Sequence, residues 1–227
     1  MSTLQPSGVI FDFDGVVVDS LSVHLSAWQL SYQQLYQEPI VDTQGLAGRS
    51  TNAIAEILSK RAGKPETLDD LANLKRELLK QNRFSIQLLP GVSDALHWLK
   101  SSALPYGIAS NAPRSFIENT LAKLQIDIPH IFGSDDVANP KPAPDVFLKC
   151  AKSLKISVTK HCEILVFEDS PHGLTAAVKA GMFPVGVLTQ NKAQEMLAAG
   201  ALATCENVGE ALRKGWFRSL PPKSQSI

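Results

Sequence analysis

Short apolar runs and longer amphipathic stretches alternate along most of this 227-residue chain. The apolar runs are Val9–Phe13, Gly107–Ser110, Ile131–Gly133, Ile164–Phe167 and Pro184–Val187, with a weaker one near Ala203. Brief continuous runs bounded by turn residues read as strands buried on both faces. With amphipathic segments between them, they predict an α/β fold: a doubly wound, mostly parallel, Rossmann-like sheet with helices on both faces. One zone breaks the alternation. From Ser20 to about Phe84 no strand pattern occurs, and apolar residues recur at helical spacing: Leu21, Leu25, Trp28 and Leu35, then Ile54, Ile57 and Leu58, then Leu68, Leu71, Leu74 and Leu78. Gly45-Leu-Ala-Gly48-Arg49-Ser50 separates the first two of these helices, and Ala62-Gly63-Lys64-Pro65 ends the second. A helical segment is therefore inserted directly after the first strand. The expected division is residues 1–17 with 87–227 as the α/β core and 18–86 as an α-helical domain.

Composition narrows the class only slightly. The formal net charge of +0 gives no electrostatic reason to expect nucleic acid or an anionic membrane as partner. No apolar stretch approaches the roughly 20 residues of a membrane-spanning helix, and the first residues carry no secretory signal, so a cytoplasmic protein is expected. Cys150, Cys162 and Cys205 are scattered and odd in number, as in a protein with reduced thiols. A monomer is the default expectation. Trp28, Trp98, His97 and Trp216-Phe217 read as packing residues.

Chemistry concentrates where the strands end. Phe11-Asp12-Phe13-Asp14-Gly15 places two carboxylates two residues apart, a spacing that predicts both on one face of the strand. Carboxylates so close repel unless a cation or shared proton lies between them. Tyr106-Gly-Ile-Ala-Ser110-Asn111 ends a strand in a hydroxyl and an amide before Pro113, where free N–H groups at a helix start attract anions. Asn139-Pro-Lys141-Pro-Ala-Pro-Asp145 holds a lysine on a stiff proline loop. Ile164-Leu-Val-Phe-Glu168-Asp169-Ser170 is a second strand ending in acids, and Pro171 opens the next helix. Singly, each segment is ordinary turn or capping chemistry; the four in order are not.

Those residues, in that order, resemble the four motifs of the haloacid dehalogenase superfamily, and the resemblance covers nearly the whole chain. Gly15-Val-Val-Val-Asp19-Ser20 with His24 and Trp28, then Lys141-Pro-Ala-Pro-Asp145 and Glu168-Asp169-Ser170, resemble its β-phosphoglucomutase-like and sugar phosphatase subgroup. The resemblance implies a cap domain hinged near Val16–Asp19 and Ser85–Pro90. It implies Mg²⁺ held by Asp12, Asp169 and Asp14, the last through its backbone carbonyl. Asp12 would be the nucleophile and Asp14 the acid and base, while Ser110, Asn111 and Lys141 would hold the phosphoryl group. Glu168 would either orient Lys141 or complete the shell of metal-bound water, the second role being preferred. His24 matches a cap position that the resemblance brings to Asp14 when the cap closes, and Arg49, in the Gly48-Arg49-Ser50 break, reads either as a cap contact to substrate phosphate or carboxylate or as a solvated side chain.

The activity implied by the resemblance is that of a Mg²⁺-dependent phosphatase acting on a small phosphorylated metabolite, such as a sugar phosphate or phosphoglycolate, through an aspartyl-phosphate. Its alternative is a β-phosphoglucomutase-type sugar-phosphate mutase. The chain departs from the mutase pattern: Ala47 stands where those enzymes carry Lys, Thr51 where they carry Arg, and Asn111-Ala112-Pro113-Arg114 replaces a small residue followed by Ser-Lys-Asn. Arg49 and Arg114 would be the compensating cations. Asp135 and Asp136 are candidates for a metal role or for capping the next turn, with capping of that turn by Asp135 the simpler expectation.

Overall fold

The structure, a computed structural model, describes residues 4–43, 46, 51–80 and 86–223. Arg49, most of the Gly45–Ser50 break, Ser85 and residues 224–227 lie outside the described residues. The chain divides into two compact units, one formed by residues 1–19 with 87–227 and the other by residues 20–86.

In chain order the first unit contains β1 (Gly8–Phe11), β2 (Val18–Asp19), β3 (Gln87–Leu88), α4 (Val92–Ser101), β4 (Tyr106–Ala109), α5 (Arg114–Lys123), β5 (Ile131–Phe132), α6 (Asp145–Ser153), β6 (Ile164–Glu168), α7 (Pro171–Lys179), β7 (Phe183–Val187), α8 (Ala193–Ala198), β8 (Ala203–Cys205) and α9 (Val208–Arg213). The second holds α1 (Leu21–Tyr36), α2 (Thr51–Arg61) and α3 (Leu68–Lys80). Six strands form one sheet in the order β5-β4-β1-β6-β7-β8, and every pairing is parallel. All six strands expected from the apolar runs are present.

The strand period of two sorts side chains onto two layers. Ile10, Ile164 and Val166 join Val146, Phe147, Cys150 and Ala176 in a fully buried cluster under α6 and α7. On the opposite face Phe11 stacks on Phe167 at 5.4 Å, and Phe217 closes on both at 6.4 and 5.7 Å. Trp98 of α4 adds a further ring 5.7 Å from Phe217. Such runs carry no polar alternation because both faces are covered.

Strand order fixes where chemistry can occur. β1 lies between β4 and β6, so the chain crosses to one side of β1 and then to the other. The carboxyl ends of those three strands flank the switch point, the usual ligand crevice of an open α/β sheet.

The second sheet, an antiparallel ribbon pairing Val18 with Leu88 and Asp19 with Gln87, is absent from the apolar pattern. At two residues per strand there is no periodicity to detect.

In the helical unit, Trp28, Tyr32, Ile54, Leu58 and Leu71 form the buried centre, and the Tyr32 and Tyr36 rings meet edge-on at 4.6 Å. The buried face of α1 is broader than the expected stripe: Trp28 is buried and the half-buried Leu35 packs on the same cluster, Leu21 and Leu25 are half-buried, and Val23, Ala27 and Ser31 are buried besides.

Candidate active site

Asp12, Ser110 and Glu168 stand at the carboxyl ends of β1, β4 and β6. Asp12 still belongs to the sheet through its N–H, which donates to the Phe167 carbonyl at 2.9 Å. Asp14 does not. β1 ends at Phe11, and the next residues form a turn in which the N–H groups of Val17 and Val18 donate to the Phe13 carbonyl at 3.0 and 3.1 Å. Gly15 makes the turn with a φ of 75°. The placement of the half-buried Asp14 therefore depends on this turn, not on the strand alternation expected from its spacing.

Lys141 is the centre of the cluster. Its ammonium donates to Asp12 Oδ1 at 2.6 Å, to Glu168 Oε1 at 2.6 Å and to the Ala109 carbonyl at 2.8 Å. It also lies 4.5 Å over the Phe147 ring. Burial opposes its charge, but the Asp12 and Glu168 carboxylates outweigh burial and push the ammonium above the usual lysine range. Asn111, expected to hold phosphate, has its side chain engaged elsewhere. Its Nδ2 donates to the Lys141 carbonyl at 3.2 Å, and its Oδ1 accepts from the Lys141 N–H at 2.9 Å. This two-bond clamp fixes the lysine loop to the end of β4. Ser110 is buried, and its hydroxyl accepts from the Ala112 N–H at 3.1 Å.

Both Glu168 oxygens are in use: Oε1 meets Lys141, and Oε2 accepts from the Ser170 N–H at 3.2 Å and the Ser170 hydroxyl at 3.0 Å. The carboxylate packs against Gly173, where a Cβ would come within 1.8 Å of Oε1. Asp169 Oδ2 accepts from Gln190 Nε2 at 2.7 Å, and the Asp169 carbonyl from Asn191 Nδ2 at 2.8 Å.

Asp12, Glu168 and Asp169 each offer a carboxylate oxygen within 4.8 Å of the others, all three buried. Lys141 supplies one positive charge to three carboxylates. Burial, then the neighbouring Glu168 and Asp12 charges, hold the Asp169 carboxyl well above the usual range. Burial likewise raises Glu168, with Lys141 opposing and Asp12 assisting. A buried, all-oxygen donor set with surplus negative charge fits a hard divalent cation.

Asp135 and Asp136 act on the backbone. Asp135 Oδ1 accepts from the Arg114 N–H at 2.8 Å and so caps α5, rather than the turn that follows it. Asp136 Oδ2 caps its own turn through the Gly133 N–H at 2.9 Å. Together they brace the segment after Ser110.

In the helical unit, burial and the Lys75 charge push the His24 imidazole down to about 4, so it is neutral at physiological pH. Lys75 carries no signal in the sequence, yet it is buried on α3. Its ammonium reaches the Thr51 hydroxyl at 3.4 Å and lies 5.3 Å over the Trp28 ring. Burial and then Arg76 lower it to about 8. Gln190 is likewise invisible to sequence reasoning.

Comparison with known proteins identifies the family. The haloacid dehalogenase-like hydrolase family profile matches residues 9–187. The chain belongs to that family. A phosphorylated carbohydrates phosphatase of Thermotoga maritima is 31% identical over 214 residues, covering 86% of this chain and 92% of its own length. A β-phosphoglucomutase of Bacillus subtilis is 30% identical, covering 92% of this chain and 94% of its own. The crystal structure of a hydrolase from Pseudomonas syringae superposes with a TM-score of 0.69 at 27% identity, covering 93% of this chain and 97% of that one. The enzyme class is phosphoric monoester hydrolase, and no helix among the described residues is long and apolar enough to cross a membrane.

Proposed function

We propose that the enzyme is a Mg²⁺-dependent phosphatase of a small phosphorylated metabolite, a sugar phosphate or a phosphoglycolate-like acid, and that it works through an aspartyl-phosphate on Asp12. One observation carries this reading: the division of six carboxylate oxygens. Four take hydrogen bonds from protein donors, namely Asp12 Oδ1, both oxygens of Glu168 and Asp169 Oδ2. Among the described residues nothing donates to Asp12 Oδ2 or Asp169 Oδ1, which leaves one oxygen on each of two buried acids for a cation. Glu168 is spent on Lys141 and Ser170 and serves to hold the lysine.

Bound Mg²⁺ would supply positive charge that offsets repulsion between the Asp12 carboxylate and a phosphate dianion. Asp12 Oδ1 attacks phosphorus, and the ester oxygen departs with a proton from Asp14. Lys141, already in contact with Oδ1, follows the phosphoryl oxygens as they gain negative charge, joined by donors at the Ser110 loop. Asp14 then takes a proton from the water that attacks phosphorus, releasing orthophosphate and restoring the Asp12 carboxylate. Asn111 keeps the Lys141 loop in register throughout.

A mutase has one observation in its favour. Lys75 bonds to Thr51, the position at which the mutases carry Arg, and so returns a cation to that place. Phosphate release from a panel of sugar phosphates and phosphoglycolate, with Mg²⁺ and with chelator, distinguishes the two. Hydrolysis predicts free phosphate and no accumulating isomer. Conversion of β-glucose 1-phosphate to glucose 6-phosphate without free phosphate would establish the mutase. Asp12→Asn, which keeps volume and loses the attacking charge, is expected to abolish turnover; more than about a tenth of wild-type kcat would rule out the covalent route.

A further inference from the structure

Three consecutive side chains after β7 reach back to the cluster. Thr189 Oγ1 donates to the Gly15 carbonyl at 2.8 Å, Gln190 Nε2 to Asp169 Oδ2 at 2.7 Å, and Asn191 Nδ2 to the Asp169 carbonyl at 2.8 Å. Thr189 and Asn191 hold backbone. Gln190 alone holds a carboxylate oxygen.

That oxygen is enclosed from two directions. A Cβ on Gly15 would lie 2.0 Å from Asp169 Oδ2, 2.6 Å from its Cγ and 3.3 Å from Gln190 Nε2. The bare Cα of Gly15 is thus a wall on one side of the carboxylate, and the Gln190 amide takes one of the two lone pairs of Oδ2 on another. Rotation that turns both oxygens toward one ion works against the Gln190 bond and against the Gly15 wall.

We propose that Gln190 is a positioning residue for the cation: by retaining Asp169 Oδ2 it limits Asp169 to ligation through Oδ1 alone, and this selects Mg²⁺ over Ca²⁺. The inference rests on the proposed use of Asp12 and Asp169 as cation ligands. Its physical basis is the difference between the two ions. Mg²⁺ demands compact, near-octahedral coordination and is satisfied by single carboxylate oxygens with water, whereas Ca²⁺ gains from bidentate carboxylates and six to eight donors. An amide that opposes bidentate contact withholds from Ca²⁺ a donor that Mg²⁺ does not need. A purely structural tie between two loops would alter stability and leave the preference between ions untouched.

The test is thermal-shift titration of the full chain with MgCl₂ and with CaCl₂ for wild type, Gln190→Met and Gln190→Asn. Methionine keeps the length and removes the donors; asparagine keeps the amide and withdraws it by one methylene. The wild type is expected to prefer Mg²⁺, and Gln190→Met to lower the ratio of the two dissociation constants about tenfold, at the lower end of what such supporting contacts contribute to metal affinity. Gln190→Asn should fall between the two, and it provides the measurement if the methionine variant does not fold. A ratio within about twofold of wild type in the folded variants overturns the inference while leaving the cation site standing. A wild type stabilised by neither ion overturns both.

Discussion

Removing the Lys141 ammonium tests whether this cluster is held by charge. Lys141 touches Asp12 and Glu168 at 2.6 Å each, with side-chain exposures of only 3, 10 and 1%. At that distance and an effective dielectric of about 20, each contact carries about 6 kcal/mol of raw attraction. Most of this offsets the desolvation of three buried ions. The consequence of Lys141→Met is set by what it leaves behind, two buried carboxylates without a cation, and losing one partner of a buried pair costs about 3–5 kcal/mol. Replacing Glu168 by Gln as well removes one of those stranded charges. The double variant should therefore be more stable than the sum of the two single effects implies, by about 2 kcal/mol. The pH dependence has a definite sign. Glu168 is already raised by burial and by Asp12, and loss of Lys141 raises it further. In the folded variant it keeps a proton that the unfolded chain releases from about pH 4.3 upward, so Lys141→Met loses stability as pH rises through that window. Urea unfolding of the four proteins, at a pH near the unfolded carboxylate value and again two or more units higher, measures both effects. Additivity within about 0.5 kcal/mol, or a deficit of Lys141→Met that does not grow with pH, would refute the electrostatic account.

The same geometry makes two further outcomes testable. Saturation with Mg²⁺ at about a hundredfold excess over Kd should stabilise the wild type by about 2.7 kcal/mol, and Asp169→Ala should abolish the shift; equal shifts in both proteins would remove Asp169 from the cation site. Lys75, lowered to about 8 from 10.5, should make stability rise with pH between about 8 and 10.4, because there the unfolded chain binds more protons; Lys75→Met should lose that slope, and an unaltered slope would disprove the burial argument.

The sequence makes the sheet legible because its strands are continuous apolar runs, and the ends of β1, β4 and β6 can be located because turn and helix-entry residues come directly after them. Residues whose roles depend on distant partners are less legible. Gln190 sits in a polar loop and meets Asp169, 21 positions away, only after β7 pairs with β6. Lys75 lies on an amphipathic helix where a charged residue defaults to solvent, and only packing buries it. The Asn111 amide is legible as a polar group at a helix entry, but its partner is the Lys141 backbone, 30 positions on. On α1 the leucine and tryptophan stripe marks only part of the buried face, because burial falls also on tyrosine, alanine and serine, which hydrophobic periodicity weights lightly.

The ribbon of Val18–Asp19 with Gln87–Leu88 has an evolutionary consequence. Paired antiparallel residues hold the outgoing and returning chain about 5 Å apart. The helical unit thus leaves the sheet-bearing unit and comes back through one narrow seam. A segment of different length or fold could be spliced there without re-registering a single strand of the parallel sheet. Asp12, Ser110, Lys141, Glu168, Asp169 and Gln190 all lie outside the spliced segment. The polypeptide is built so that its reactive part can stay constant while a lineage exchanges the insert.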